Sequence, residues 1–315
     1  MQVDLHWSSE CLSLNYKNRP FGYIAFSKYS DQPAIGGIRI CYESIDNNAP
    51  AYCIGLANTM QKKAKAADPP LGGAKAILYV ESIEKKHIFL NQFSKVLNKL
   101  RGKYITAVDI GSTEADMNFL HQLTPFVTGH TIAGGEPSAY TAKTVLLGVQ
   151  AACKLIYNEH SMQGKHILIQ GLGKVGINLL TQLRDADNDI KITICDIDQK
   201  KALQYAQQYN AIMIDYLDCY QTPCDIFIAA ATSYLIGLPE TKQMYCRIFA
   251  AAANNPFKNP EAEQQLIDRQ TLVLPDYLIN TGGLIYCAYQ YGVITQLEQR
   301  IKQTYDRVLA FNADK

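Results

Sequence analysis

Apolar residues recur along this chain in two rhythms. In the first half, short apolar runs at residues 21–26, 37–41 and 76–80 have the length and bounding residues of strands, whereas 51–67 and 87–100 carry helical patterns. This combination predicts an α/β domain. The breaker Gly134-Gly135-Glu136-Pro137 is followed by a helical pattern over 141–157, which sets a boundary or hinge near residues 135–142. The second half is more regular. Strand candidates at 166–170, 191–196, 225–229, 247–251 and 277–280 alternate with helical or loop segments, the pattern of a mostly parallel sheet with helices on both faces. No internal repeat interrupts it. A length of 315 residues suits two domains of about 150 residues with a cleft between them.

Composition removes several classes of function. Lys+Arg 30 against Asp+Glu 29 leaves a net charge of +1 with no basic stripe, so nucleic acid is not an expected partner. The longest apolar stretches, 226–231 and 248–253, are far shorter than the roughly 20 residues a bilayer helix needs. The start Met1-Gln2-Val3-Asp4 lacks the basic and apolar regions of a signal peptide, and the expectation is a soluble cytoplasmic protein. Nine cysteines are scattered without a Cys-x-x-Cys pair, and Cys219 and Cys224 have no histidine cluster beside them; they read as reduced core thiols, with no metal site. The six histidines stand singly.

One turn carries the first chemistry. Directly after the apolar strand Ile167-Leu168-Ile169 the chain reads Gly171-Leu172-Gly173-Lys174-Val175-Gly176, and Val175, Leu179 and Leu183 then repeat every four residues. Gly171 permits a tight turn, Gly173 lets the backbone approach a pyrophosphate, and Gly176 allows close helix packing. The helix N-terminus offers N–H groups and partial positive charge to the phosphates. About twenty residues on, the next strand ends at Asp196, where a carboxylate accepts ribose hydroxyls; this predicts a Rossmann-type domain that binds NAD. Lys200 and Lys201, just beyond, keep a 2′-phosphate and hence NADP open as the alternative.

A second cluster lies in the first half. Lys62, Lys63 and Lys65 sit at a helix end, where basic residues complement the helix dipole without any further role. Lys75 follows Gly72-Gly73 at the entry to a strand, where partial desolvation would lower an ammonium's pKa.

From about residue 35 to 291 the chain resembles the glutamate, leucine, phenylalanine and valine dehydrogenase family, most closely its leucine dehydrogenase-like members. The blocks that carry the resemblance are Gly36-Gly37-Ile38-Arg39; Met60 with Lys63 and Pro70-Leu71-Gly72-Gly73-Ala74-Lys75; Tyr104-Ile105-Thr106-Ala107-Val108-Asp109-Ile110-Gly111; Pro137-Ser138 with Thr141-Ala142; the dinucleotide turn; Ala253-Asn254-Asn255; and Ile279-Asn280-Thr281-Gly282-Gly283. The resemblance implies NAD-dependent oxidative deamination of an amino acid to a 2-oxo acid and ammonia. It implies that Lys63 holds the substrate α-carboxylate and that Lys75 activates water and stabilises the carbinolamine oxygen. Asp109 would exchange protons with the amine, while Gly36, Gly37, Met60 and Asn280 help to place the substrate. Cofactor contacts would come from the turn, from Asp196, Ile197, Ala230, Ala231, Asn254 and Asn280, and from Thr141 near the nicotinamide. Read without the family, Asp109 and Asn280 also suit simple turn residues, and Glu114 and Asp116 read as surface charges.

The same comparison bears on the substrate. Glutamate-specific members carry a lysine just before the Gly-Gly-x-Arg block, and this chain has Ile35 there, so the expected substrate is leucine, valine or isoleucine, with phenylalanine or tryptophan next. The rest of the pocket wall is expected from a C-terminal helix around 303–308. Ala74 departs from the glycine most relatives carry, and a Cβ there could disturb a close backbone approach. From length, a homodimer is expected rather than a larger oligomer. The expected domains are 1–138 with 284–315, for substrate binding and dimerisation, and 139–283 for NAD. Two alternatives remain: a catalytically degenerate relative that senses NAD or an amino acid, and a 2-hydroxy acid dehydrogenase, for which His130 is the one candidate base.

Overall fold

The short apolar runs of the first half form a mixed sheet covered by a helix on each face. The computed structural model describes residues 3–8, 10–27, 33–132, 134–186 and 189–313; Met1, Gln2 and the end of the chain, which bear on the expectations for both termini, lie outside them. The chain divides into two compact units, Met1–Glu136 with Leu284–Leu297, and Pro137–Gly283 with Glu298–Lys315.

The first unit runs β1 (Val3–Ser8), β2 (Cys11–Tyr16), β3 (Arg19–Phe26), β4 (Ala34–Cys41), α1 (Ala49–Ala67), β5 (Gly72–Tyr79), α2 (Lys86–Leu100), β6 (Tyr104–Val108) and α3 (Glu114–His121). Its six-stranded sheet has the order β1-β2-β3-β5-β4-β6, antiparallel as far as the β3/β5 pair and parallel across β5, β4 and β6. Lys17 and Asn18, both with positive φ, form the two-residue turn from β2 to β3, whose left-handed conformation matches the twist of a hairpin. Ala74, Ala76 and Leu78 of β5 join Phe89, Leu90, Phe93 and Leu97 of α2 in the larger core. On the opposite face Ile77 packs with the small side chains Ala49, Cys53 and Ala57 of α1. Small residues let α1 lie almost on the sheet, and the helix ends at Asp68 in a left-handed cap before Pro69-Pro70.

The second unit runs α4 (Pro137–Tyr157), β7 (His166–Gln170), α5 (Lys174–Ala186), β8 (Lys191–Cys195), α6 (Gln199–Gln208), β9 (Ile212–Met213), β10 (Ile226–Ala229), α7 (Leu238–Gln243), β11 (Ile248–Ala251), α8 (Pro260–Asp268), β12 (Leu272–Val273) and α9 (Asp276–Ile279). Then α10 (Gly282–Gln290) crosses the division and α11 (Leu297–Ala313) closes the chain. All pairings are parallel, in the order β12-β11-β10-β7-β8-β9. From β7 the chain moves outward to β9, then returns to the other side of β7 with β10. This is the doubly wound dinucleotide-binding topology, and the switch point lies between β7 and β10. Strands β10 and β11 are buried along their whole length and β7 from Ile167 onward, which explains their unbroken apolar runs.

Two expectations are corrected. Residues 277–279 form the helical turn α9 and not a strand: Asp276 accepts hydrogen bonds from the N–H groups of Tyr277 and Asn255 and turns the chain, and the sixth strand is β12 just before it. A four-residue apolar run does not distinguish the two by periodicity. The last helix belongs to the second unit, whereas all of 284–315 was expected with the first. Val308 of α11 is buried beside Gly148 of α4, and Lys143 of α4 pairs with Glu298. All nine cysteines are free, six buried and three half-buried. Among the described residues no helix is long and apolar enough to cross a membrane.

Candidate active site

In the first unit, backbone crowding and strand alternation bring together the residues that the sequence singled out. Gly73 has no room for a side chain, since a Cβ there would lie 2.2 Å from the Gln61 backbone nitrogen of α1, and Gln61 Oε1 accepts the Gly73 N–H at 2.6 Å. Met60 adjoins this contact. The strand β5 therefore passes directly under α1, with Lys75 on that face and Ala74 on the other. The Ala74 methyl is buried in the α2-side core, so it does not stand beside the Lys75 side chain. Gly36 must also lack a Cβ, since one would lie 1.7 Å from the Ala74 carbonyl oxygen. Ile35 is buried and pairs with Gly73, which puts it on the Lys75 face.

Gly37 clears the space that Asp109 uses, because a Cβ at 37 would come within 2.6 Å of the Asp109 Cβ. Asp109 follows β6, its N–H donating to Ser112 Oγ at 2.8 Å while Ser112 Oγ lies 2.9 Å from the Ile38 carbonyl. Its Oδ2 meets Lys75 Nζ at 2.8 Å and Arg39 Nε at 3.2 Å. Burial pushes the Asp109 carboxyl up, but the charges of Lys75 and Arg39 outweigh it and hold the group below the usual carboxylate range. Lys63 is half-buried on α1; burial raises the thiol of Cys287 to about 12, against the lowering effects of its hydrogen bond with Thr128 and of the Lys63 charge.

Arg39 belongs to the Gly-Gly-Ile-Arg block, yet the sequence assigned it no role. Its Nη1 donates to the Tyr52 hydroxyl of α1, and its guanidinium stands 5.7 Å from the Tyr52 ring centroid. The signal was available in the spacing, since Arg39 lies two residues after Gly37 and strand residues two apart share a face. Asp116, read as a surface charge, is buried instead. It closes a capping box with Thr113 at the start of α3 and pairs with Lys86 at 2.6 Å. His130 is buried against His121, with ring centroids 4.0 Å apart, and burial pushes its pKa down.

In the second unit the glycine turn connects β7 to α5 at the switch point. Gly171 has φ +94°, and a Cβ there would lie 2.8 Å from the Ala231 backbone, while a Cβ on Gly176 would lie 2.0 Å from the Gly171 carbonyl. Gly173 differs, because a Cβ there would meet nothing within 4 Å. Two glycines thus close the turn, and the third borders open space at the N-terminus of a 13-residue helix, the arrangement a pyrophosphate requires. Lys174 and Val175 open α5, and Leu172 is buried beneath the turn.

Asp196 is more than a free acceptor. Its Oδ2 takes the Leu172 N–H at 2.6 Å and lies 3.5 Å from Lys201 Nζ, while Oδ1 takes the Asp198 N–H at 2.9 Å. The acid therefore holds the turn and offsets Lys201. Ile197 is 82% exposed at the end of β8, and Ala230 and Ala231 follow β10 beside Gly171. Asn280 is fully buried, its Nδ2 donating to Asn254 Oδ1 at 3.0 Å and to the Ala252 carbonyl at 3.2 Å, while its Oδ1 has no partner. Thr141 Oγ1 accepts the Gly283 N–H and donates to the Pro137 carbonyl, tying α4 to the start of α10. Open space at Gly173, the helix N-terminus and the Asp196 carboxylate fit a dinucleotide.

Known proteins share this organisation. The family model described as "Glu/Leu/Phe/Val dehydrogenase, dimerisation domain" matches residues 15–125, and "Glutamate/Leucine/Phenylalanine/Valine dehydrogenase" matches residues 188–306. The leucine dehydrogenase of Geobacillus stearothermophilus is 31% identical over 88% of this chain and 76% of its own length. That of Bacillus subtilis is 33% identical over 82% and 72%. The crystal structure of L-tryptophan dehydrogenase from Nostoc punctiforme superposes with a TM-score of 0.79 at 28% identity, covering 96% of this chain and 88% of that one.

Proposed function

The chain belongs to the Glu/Leu/Phe/Val dehydrogenase family, and from that membership we propose that it catalyses the NAD-dependent oxidative deamination of an apolar L-amino acid to a 2-oxo acid and ammonia. The observation that carries this reading is the 2.8 Å contact between Lys75 and Asp109 on a sheet face cleared by glycines. A base and an acid that exchange protons within one reaction have to lie within hydrogen-bond reach of one another or of shared substrate atoms.

Lys63 takes the substrate α-carboxylate as a fixed positive charge. Asp109, kept anionic by its neighbours, accepts a proton from the substrate ammonium so that the amine lone pair can drive oxidation at the α-carbon. A dinucleotide held at the glycine turn supplies the hydride acceptor. Lys75 withdraws a proton from the water that attacks the imine carbon, then donates a hydrogen bond to the oxygen of the carbinolamine. Asp109 returns the proton to the departing ammonia. The backbone at Gly36 and Gly37 helps to place the substrate, and in the second unit Asn280 and Thr141 contribute to cofactor binding.

Support for an apolar substrate comes from Ile35. A side-chain carboxylate placed against it would be desolvated without a cation, a far larger penalty than separates leucine from valine. The similarity to leucine and L-tryptophan dehydrogenases points the same way. Pairing of Lys201 with Asp196 favours NAD over its 2′-phosphorylated form. The match to a dimerisation domain supports a homodimer built through the first unit. The test is NADH formation with leucine, valine, isoleucine, phenylalanine, tryptophan and glutamate. We expect one of the apolar five to exceed glutamate in kcat/KM by at least about a hundredfold. Glutamate as the best substrate would remove the apolar reading.

A further inference from the structure

Asp109 makes both of its ionic contacts through one oxygen. Lys75 and Arg39 converge on Oδ2, and among the described residues Oδ1 has no ionic or hydrogen-bonding partner. Two cations are more than one carboxylate needs for neutrality, and they differ in kind. The ammonium of Lys75 is the one that moves protons in the reaction proposed above. A guanidinium keeps its charge at every working pH and donates from a planar fork. Arg39 uses that fork in two directions, Nε to Asp109 and Nη1 to the Tyr52 hydroxyl, with the Tyr52 ring beside its plane. It bridges the sheet and α1, and its side chain is only 16% exposed.

We propose that Arg39, braced by Tyr52, is a positioning residue that pins Asp109 by Oδ2 throughout the catalytic cycle and leaves Oδ1 to the substrate amine. The inference rests on the proposed roles of Lys75 and Asp109. During the steps in which Lys75 gives up or regains a proton, Arg39 supplies the constant counter-charge. Without it the carboxylate would rotate toward Lys75 and would hold its proton to higher pH.

The remaining titratable groups around Asp109 do not compete in the acid range. Cys41 on β4 is pushed up by burial, and Tyr104 on β6 is pushed up by complete burial, so both stay neutral there. Tyr52 on α1 acts through Arg39. Lys75 also exchanges a proton in the proposed reaction, so the carboxyl titration itself, and not the acid limb alone, assigns the change to Asp109.

The experiment compares wild type with Arg39→Met, Arg39→Lys and Tyr52→Phe in the full-length protein. Two readings are taken: the pH profile of kcat/KM with the best amino acid of the panel, and the titration of the Asp109 carboxyl followed by carbon-13 NMR, with Asp109→Asn identifying the signal. In Arg39→Met the carboxyl should titrate at higher pH, the acid limb should follow it, and kcat should fall at least tenfold with NADH binding unchanged. Arg39→Lys should restore the titration but not kcat, because one ammonium cannot span Asp109 and Tyr52. Tyr52→Phe should lower kcat severalfold with the titration near that of wild type. An Asp109 titration in Arg39→Met identical to wild type overturns the inference, as does an unchanged kcat. If wild type oxidises no amino acid, the proposed function fails, while the carboxyl titration still decides whether Arg39 controls Asp109.

Discussion

Replacement of Lys75 by alanine should lower kcat by about a thousandfold, within the span that a positioned acid–base group contributes. No neighbour can take over. Arg39, the other cation on Asp109, does not release a proton at working pH, and Asp109 carries charge of the wrong sign to stabilise an oxyanion. The loss should appear in kcat more than in KM, since Lys63 and not Lys75 is proposed to hold the carboxylate. Cofactor affinity should be unchanged, because the glycine turn lies in the second unit. Steady-state kinetics and an NADH fluorescence titration check both halves. Equal turnover by wild type and Lys75→Ala would refute the mechanism.

Asp109→Asn should cost both activity and stability. The amide cannot accept the amine proton, so turnover should fall by about a hundredfold or more. Lys75 and Arg39 would face each other without a counter-charge. Loss of one member of a buried ion pair is expensive, and with Asp109 partly exposed a cost of about 2 kcal/mol is expected. The pH dependence has a definite sign. The folded-state pKa of Asp109 lies below the ordinary carboxylate value, so its stabilisation is fully present above that ordinary value and is lost as pH falls through the folded one. Urea unfolding should therefore separate wild type from Asp109→Asn at neutral pH, with the gap narrowing in acid. A gap that widens in acid would contradict the ion-pair account.

Much of this arrangement is legible in the order of residues along the chain. The unbroken apolar runs 167–169 and 226–229 mark buried parallel strands, and the strand, turn and helix around Gly171 locate the switch point. Short segments are ambiguous. Residues 277–279 have strand-like composition, but the side-chain carboxylate of Asp276 bends them into a turn, a contact that no periodicity reveals. The placement of α11 is equally hidden, because its buried face meets Gly148 of a helix more than a hundred residues earlier. Charge burial is the third difficulty. Asp116 resembles any helix-start acid until the fold sets Lys86 beside it, and Arg39 needs the strand register to arrive next to Asp109. The setting of Ala74 follows from alternation, which sends its methyl into the α2-side core, and its carbonyl meets the backbone at Gly36.

In the proposed reaction, hydrogen leaves the α-carbon of an apolar amino acid for the dinucleotide bound by the second unit. The most direct test supplies the preferred amino acid with deuterium at the α-carbon and analyses the reduced cofactor by mass spectrometry. Reduced NAD carrying one deuterium, formed together with the 2-oxo acid and ammonia, is the predicted result. Deuterium released to water, or a reduced cofactor without label, would contradict the account.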